Sequence, residues 1–177
     1  RARVNKAMLY YHFRNKQALY RALLQRTFRE AACRLQAIAA SDLDPSEKID
    51  RVIDGIAAFV REHETFPAIM LREVAEGGAH LDRDTLATLA VLPQTISAIV
   101  REGIGRHTFR PVHPFAAYFT IVAPIVVYLA GAPIRSKLGS RGAPGMADLE
   151  PDVFVRHLQE TMRIALVGRP LPTEVTR

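Results

Sequence analysis

Apolar residues recur at spacings of three and four along nearly every ordered-looking stretch of this chain, so the pattern predicts helices and no strands. A short helix is expected over about Lys6 to Tyr11, with Asn5 placed to cap it. A long one follows Asn15 and runs to about Ala39, burying Leu19, Leu23, Leu24, Phe28, Ala31, Leu35 and Ile38. Asp44, Pro45, Ser46 and Glu47 then combine an acidic N-cap, a proline at the first helical position and a carboxylate three residues on. That helix turns Ile49, Val52, Ile53, Ile56 and Val60 inward and lasts to about Glu64. A shorter helix, Pro67 to Glu76, stops at Gly77 and Gly78, which tolerate the left-handed turn at a helix end. The next runs from Asp84 to about Ile104, with Pro93 expected to kink or break it.

His113 and Pro114 open an apolar helix ending near Gly131. Ser136 to Asp148, with three glycines and one proline, reads as a flexible surface connection. A last helix covers Pro151 to Gly168, with Val153, Leu158, Met162, Ala165 and Leu166 as its main apolar members, and the tail from Arg169 reads as loose. The expected fold is all-α.

Composition adds that 177 residues, 49% of them hydrophobic, suffice to close a core. The apolar run from Phe115 to Ala132 reaches the lower edge of membrane-spanning length, but Pro124 interrupts it and Tyr118, Thr120 and Tyr128 carry polar tips. It reads as a core or interface helix, with no membrane partner. One cysteine and no signal-peptide pattern point to the cytoplasm.

The net charge of +6 matters less than where it lies. Residues 1–34 hold nine of the 24 basic side chains and only one of the 18 acidic ones. A localised basic patch suits a polyanion partner, since neutralised phosphates release counterions; charge alone equally describes a solvated basic helix face.

The stretch from Ala2 to Leu19 is more informative. A short helix dense in Lys, Tyr and His, followed at once by another helix, suits a recognition helix and its support. Leu9 and Phe13 share a face that can pack on the long helix, which leaves Lys6, Tyr10 and His12 nearer the outside and Tyr11 as the tyrosine expected inside. Leu9, Tyr10, Tyr11, His12, Phe13, Asn15, Lys16, Ala18 and Leu19 stand in an order and spacing that resembles the end of the DNA-binding domain of TetR/AcrR regulators. Arg3 stands where that family usually has glycine and Met8 where it often has threonine. The family's domain also has a support helix and a first motif helix before this point, and the chain is read as a truncated form of it.

The resemblance implies a TetR-like fold: residues 1–20 as the end of a helix-turn-helix domain, 21–168 as a ligand-binding and dimerisation domain, and 169–177 as the tail. It implies that Tyr10, His12 and Lys16 hold phosphates of an operator duplex, while Lys6, Ala7 and Met8 face base edges. Two recognition helices of a homodimer would enter successive major grooves of a palindromic operator, and a small apolar effector would release a repressor from it.

The effector cavity is expected among the middle helices, with Phe59, His63, Phe66, Met70, Tyr118 and Tyr128 as candidate lining, apolar walls with a few polar tips. The dimer is expected through the helices near 114–131 and 151–167. Independently of the resemblance, the helix carrying Ile121, Ile125, Val126 and Leu129 is apolar around too much of its circumference for one core to cover easily, although a central core helix of a monomer reads the same way.

Enzyme chemistry is not expected. Cys33, among Ala31, Ala32 and Leu35, reads as an inert buried thiol. His107 with His113, and Glu73, Glu76 with His80, lack enough ligands at metal-site spacing, and Gly103 with Gly105 makes no phosphate loop. No cofactor is expected. The reading from another class is a dimeric ligand-binding or protein-interaction module that no longer binds DNA.

Overall fold

The computed structural model describes residues 13–168, and among these every regular element is helical. In chain order they are α1 (Lys16–Ala39), α2 (Pro45–Glu62), α3 (Phe66–Ala75), α4 (Arg83–Gly105), α5 (Pro114–Ala130), α6 (Ala132–Gly139), α7 (Pro144–Ala147) and α8 (Pro151–Val167). The helix expected at Lys6 to Tyr11 and the tail from Arg169 lie outside the described residues.

The helix starts follow local chemistry. Asn15 caps α1 by accepting from the Ala18 amide at 2.8 Å. At α2, Asp44 accepts from the amides of Ser46 and Glu47, and Glu47 accepts back from the Asp44 amide at 3.1 Å, a complete capping box. Those backbone bonds, foremost the one from Glu47, hold the Asp44 carboxyl below its ordinary range. Asp82 caps α4 through the amide and hydroxyl of Thr85. Gly77 and Gly78 both take positive φ after α3, as a glycine stop requires.

Several expectations are corrected. The stretch from Ser136 to Asp148 is no featureless connection: α6 continues from Ala132 to Gly139 after a 57° bend from α5, and α7 makes one further turn. Prolines in the first turns of both supply the preset φ that starts a helix. Helix α4 passes through Pro93 unbroken, because the one forfeited bond is outweighed by the burial of Ile96, Ile99 and Val100 just beyond it. Leu23 is 49% exposed. The inward face of α1 follows Leu24, Phe28, Ala32 and Leu35, which puts Leu23 a hundred degrees off it. Val153 is likewise exposed, because α8 turns Val155, Leu158, Met162 and Leu166 inward. Cys33 is exposed rather than buried, one step around the helix from Ala32.

One core joins these helices: Leu35 of α1, Ile49, Val52 and Ile53 of α2, Ile96, Ile99 and Val100 of α4, Ile121 and Ile125 of α5, and Leu158 and Met162 of α8. Helix α1 lies along α4, α4 along α5, and α2 meets α1, α4, α5 and α8. Lys48 is buried in this packing with its ammonium 2.9 Å from Glu102, which supplies the partner a buried cation needs.

Gly103 marks a close approach. Its carbonyl accepts from the amides of Thr108 and Phe109, folding the buried Phe109 ring back so that a Cβ at position 103 would stand 2.1 Å from Cδ2. Alanine in a helix gains about 1 kcal/mol over glycine, but overpacking a core costs about 1–3 kcal/mol. Gly103→Ala is therefore expected to lower the melting temperature. Gly105→Ala, with nothing within 4 Å of the added methyl, is expected to raise it. A Gly103→Ala protein melting at or above the native temperature would show that the ring does not hold this position.

Candidate functional site

A cavity of about 70 Å³ opens between α1, α2, α3, α4 and α5. Its walls are almost wholly apolar, built by Leu35 and Ile38 from α1, Ile56 and Phe59 from α2, Phe66 from α3, Leu92 and Ile96 from α4 and Val122 from α5. Two lining residues carry polar groups, Tyr118 and Arg34. Burial pushes the Tyr118 phenol above its ordinary range. Arg34 lies 5.3 Å from the centre of the Phe59 ring and is held by Glu30 at 2.7 Å and Glu62 at 2.6 Å. These three charges are partly exposed, so the network adds little to the stability of the fold.

Phe66 has a second neighbour, a cleft of about 310 Å³ of mixed lining, with Leu23, Leu24 and Ile69 beside Thr27, Glu62 and His63. The ring stands edge-on to Phe28 of α1 at 5.6 Å and to Phe59 of α2 at 5.8 Å. It therefore stands between the apolar cavity and the mixed cleft while linking three helices.

Of the candidate lining residues, Phe59, Phe66 and Tyr118 come together at the cavity. His63 edges the cleft, its ring 4.4 Å from that of Phe59 and its Nε2 3.5 Å from Glu30. Met70 is half-buried on α3 and lines neither space. Tyr128 is directed elsewhere: its ring stacks on Phe154 of α8 at 4.0 Å, Arg135 of α6 lies over it, and its hydroxyl donates to the Leu149 carbonyl. It pins α5, α6 and α8 together. Arg34, which the sequence reading passed over, lies on the cavity wall, and its pairing with Glu30 one turn earlier was the available signal.

Of the candidate DNA-contacting residues, Lys6, Ala7, Met8, Tyr10 and His12 lie outside the described residues, and Lys16 is exposed as the first residue of α1. Three-donor groups form at Glu30, Glu62 and His63 and at Glu73, Glu76 and His80, with each group's ligand atoms within 4.8 Å of one another. Arg34 already spans the two carboxylates of the first, and Tyr20 and His80 already bond Glu73 in the second.

Tyr20 of α1 donates to Glu73 at 2.6 Å. Burial, then the bond and charge of Glu73, push its pKa up to about 12. A phenol raised in the folded state gives stability that is whole below the ordinary tyrosine pKa near 10 and is lost as pH rises through about 12. Ultraviolet titration of the five tyrosines is expected to show a late ionisation near pH 12 that Tyr20→Phe removes. An unchanged late step in that variant would assign it elsewhere.

No single helix among the described residues is long and apolar enough to cross a membrane. Residues 45–143, more than half of the chain, match the family described as "Tetracyclin repressor-like, C-terminal domain". Residues 1–23 match "Bacterial regulatory proteins, tetR family". No curated protein matches the chain. An all-helical fold carrying both matches, in this order, means that the chain belongs to the TetR family of DNA-binding transcriptional regulators.

Proposed function

We propose that the chain is a ligand-responsive repressor, released from a palindromic operator when a small apolar molecule enters the cavity between α1 and α5. In this reading residues 1–20 end the DNA-binding domain, 21–168 form the effector and dimer domain, and α5 and α8 carry the homodimer in the cytoplasm. The observation that carries it is that α1, the helix leading out of the DNA-binding match, forms one wall of the cavity through Leu35 and Ile38.

Size makes that contact consequential. Ligand sites commonly span about 300–1,000 Å³, whereas this cavity holds about 70 Å³. An effector must therefore part the helices around it, by turning Phe66 toward the cleft or by moving α1. A ligand that prefers the parted state by about 1–3 kcal/mol weakens operator binding about 5- to 150-fold. Two DNA-binding units set at the wrong separation suffice for that.

The test is fluorescence anisotropy of the intact native protein on labelled duplex from upstream of its own gene, against scrambled duplex at fixed salt. Preference for the upstream duplex by about a thousandfold supports a specific regulator and opens a screen for releasing ligands. Equal, weak binding to both would leave only a basic surface and reject the reading.

A further inference from the structure

We infer that Glu73 is a positioning residue for DNA binding, a buried carboxylate in the C-terminal domain that holds Tyr20 and so fixes the DNA-proximal end of α1. The bond crosses the boundary between the two family matches, since Tyr20 lies within residues 1–23 and Glu73 within residues 45–143.

Glu73 is 1% exposed. A carboxylate taken out of water needs bonds to its charged form, and three reach it: the Tyr20 hydroxyl at 2.6 Å, the His80 amide at 3.3 Å and His80 Nδ1 at 3.1 Å. Burial alone would raise its pKa, but these bonds and the charge of His80 outweigh that and hold it below the ordinary carboxylate range. His80 also stands 3.4 Å from Glu76 and packs edge-on against the Tyr20 ring at 5.6 Å. One residue on, Arg21 Nε lies 3.8 Å from Asp82, so two consecutive residues of α1 meet the turn between α3 and α4.

Two features separate this from ordinary core support. His80, seven residues on in the turn that follows α3, would satisfy Glu73 locally, yet the shortest bond goes to a residue 53 positions earlier. In addition, the first fully buried apolar residue of α1 is Leu24. Lys16 and Gln17 are exposed, and Ala18 and Leu19 are half-buried. Among the described residues, the first two turns of α1 thus hold no fully buried apolar side chain. The bond from Tyr20 to Glu73 holds α1 one turn before its first fully buried apolar residue.

The inference rests on DNA binding alone and needs no effector. The test uses the intact native protein, a duplex selected by it from a random-sequence pool, and a scrambled duplex of equal length. Tyr20→Phe keeps the ring against His80 and removes only the hydroxyl. It is expected to weaken binding to the selected duplex about tenfold and to change the scrambled one less than about twofold, because charge contacts survive while their register does not. Glu73→Gln, which can still accept from Tyr20, is expected to stay within about threefold of native.

A second readout needs no DNA. Amide exchange over residues 16–23 is expected to quicken in Tyr20→Phe but not from Leu24 onward. Binding to the selected duplex within twofold of native, equal losses on both duplexes, or unchanged exchange would each overturn the inference. A native protein that selects no duplex would overturn it together with the repressor reading.

Discussion

Phe28→Ala is expected to remove about 3–5 kcal/mol of stability, the cost of deleting a buried aromatic ring and leaving a void behind. Phe28 is among the largest fully buried side chains, and it is where α1 meets α3 through the Phe66 ring. Domains of this kind hold only about 5–15 kcal/mol in total, so the loss takes a large share. Urea unfolding at fixed protein concentration should show a lower midpoint with an unchanged slope. Leu23→Ala, on the same helix but facing solvent, should shift stability by no more than about 0.5 kcal/mol. If the two variants unfolded together, the aromatic junction between α1, α2 and α3 would not be what holds α1 on the domain. The contrast also separates two jobs on one helix: Phe28 supplies the grip, and Tyr20, two turns earlier, sets the angle.

Where the sequence could be read, the information was local. Asp44 to Glu47 encode both halves of a capping box within four residues, and Gly77 with Gly78 encode the turn that ends α3, so those boundaries were visible. The DNA-binding motif was visible for the same reason, as side chains in fixed order over a short span. Failures came where phase or distance decided. Leu23, Val153 and Cys33 differ from their inward neighbours by one or two residues, a rotation that composition cannot resolve. Helix α6 was hidden because three glycines stand at its end and just beyond it, although Pro133 near its start held the opposite signal.

The site divides in the same way. Phe59, Phe66 and Tyr118 were legible as aromatic residues on the inner faces of amphipathic helices. Tyr128 offers the same chemistry, but the position of the Leu149 carbonyl, 21 residues on, makes it a strut between helices. Glu73 was illegible as an anchor: a glutamate near a helix end is ordinarily solvated, and nothing near it in the chain announces Tyr20.

The remaining large effect concerns the outer face of α5 and α8. Helix α5 turns Ala117, Ile121, Ile125 and Tyr128 into the core, yet Phe115, Phe119, Ala123 and Val127, spaced by four, form a second stripe facing solvent. Helix α8, packed beside it, exposes Val153, Ile164 and Val167. Phe119 at 65% exposure and Ile164 at 74% are too open for a side chain that belongs to a monomer's core. In the proposed homodimer this stripe is the interface, and a second copy across a two-fold axis would present the same stripe in return. The double variant Phe119→Glu, Ile164→Glu places each new carboxylate in that interface twice, where desolvation and like charge oppose association by several kcal/mol. The expected dissociation constant rises by about a thousandfold or more, and sedimentation at micromolar concentration should show a monomer of unchanged helicity. Val74→Glu, on α3 and 73% exposed, should remain dimeric. A double variant that still sediments as the native dimer would move the interface away from α5 and α8. A monomer that keeps native affinity for a palindromic duplex would separate DNA binding from dimerisation, against the requirement that two linked units read two half-sites.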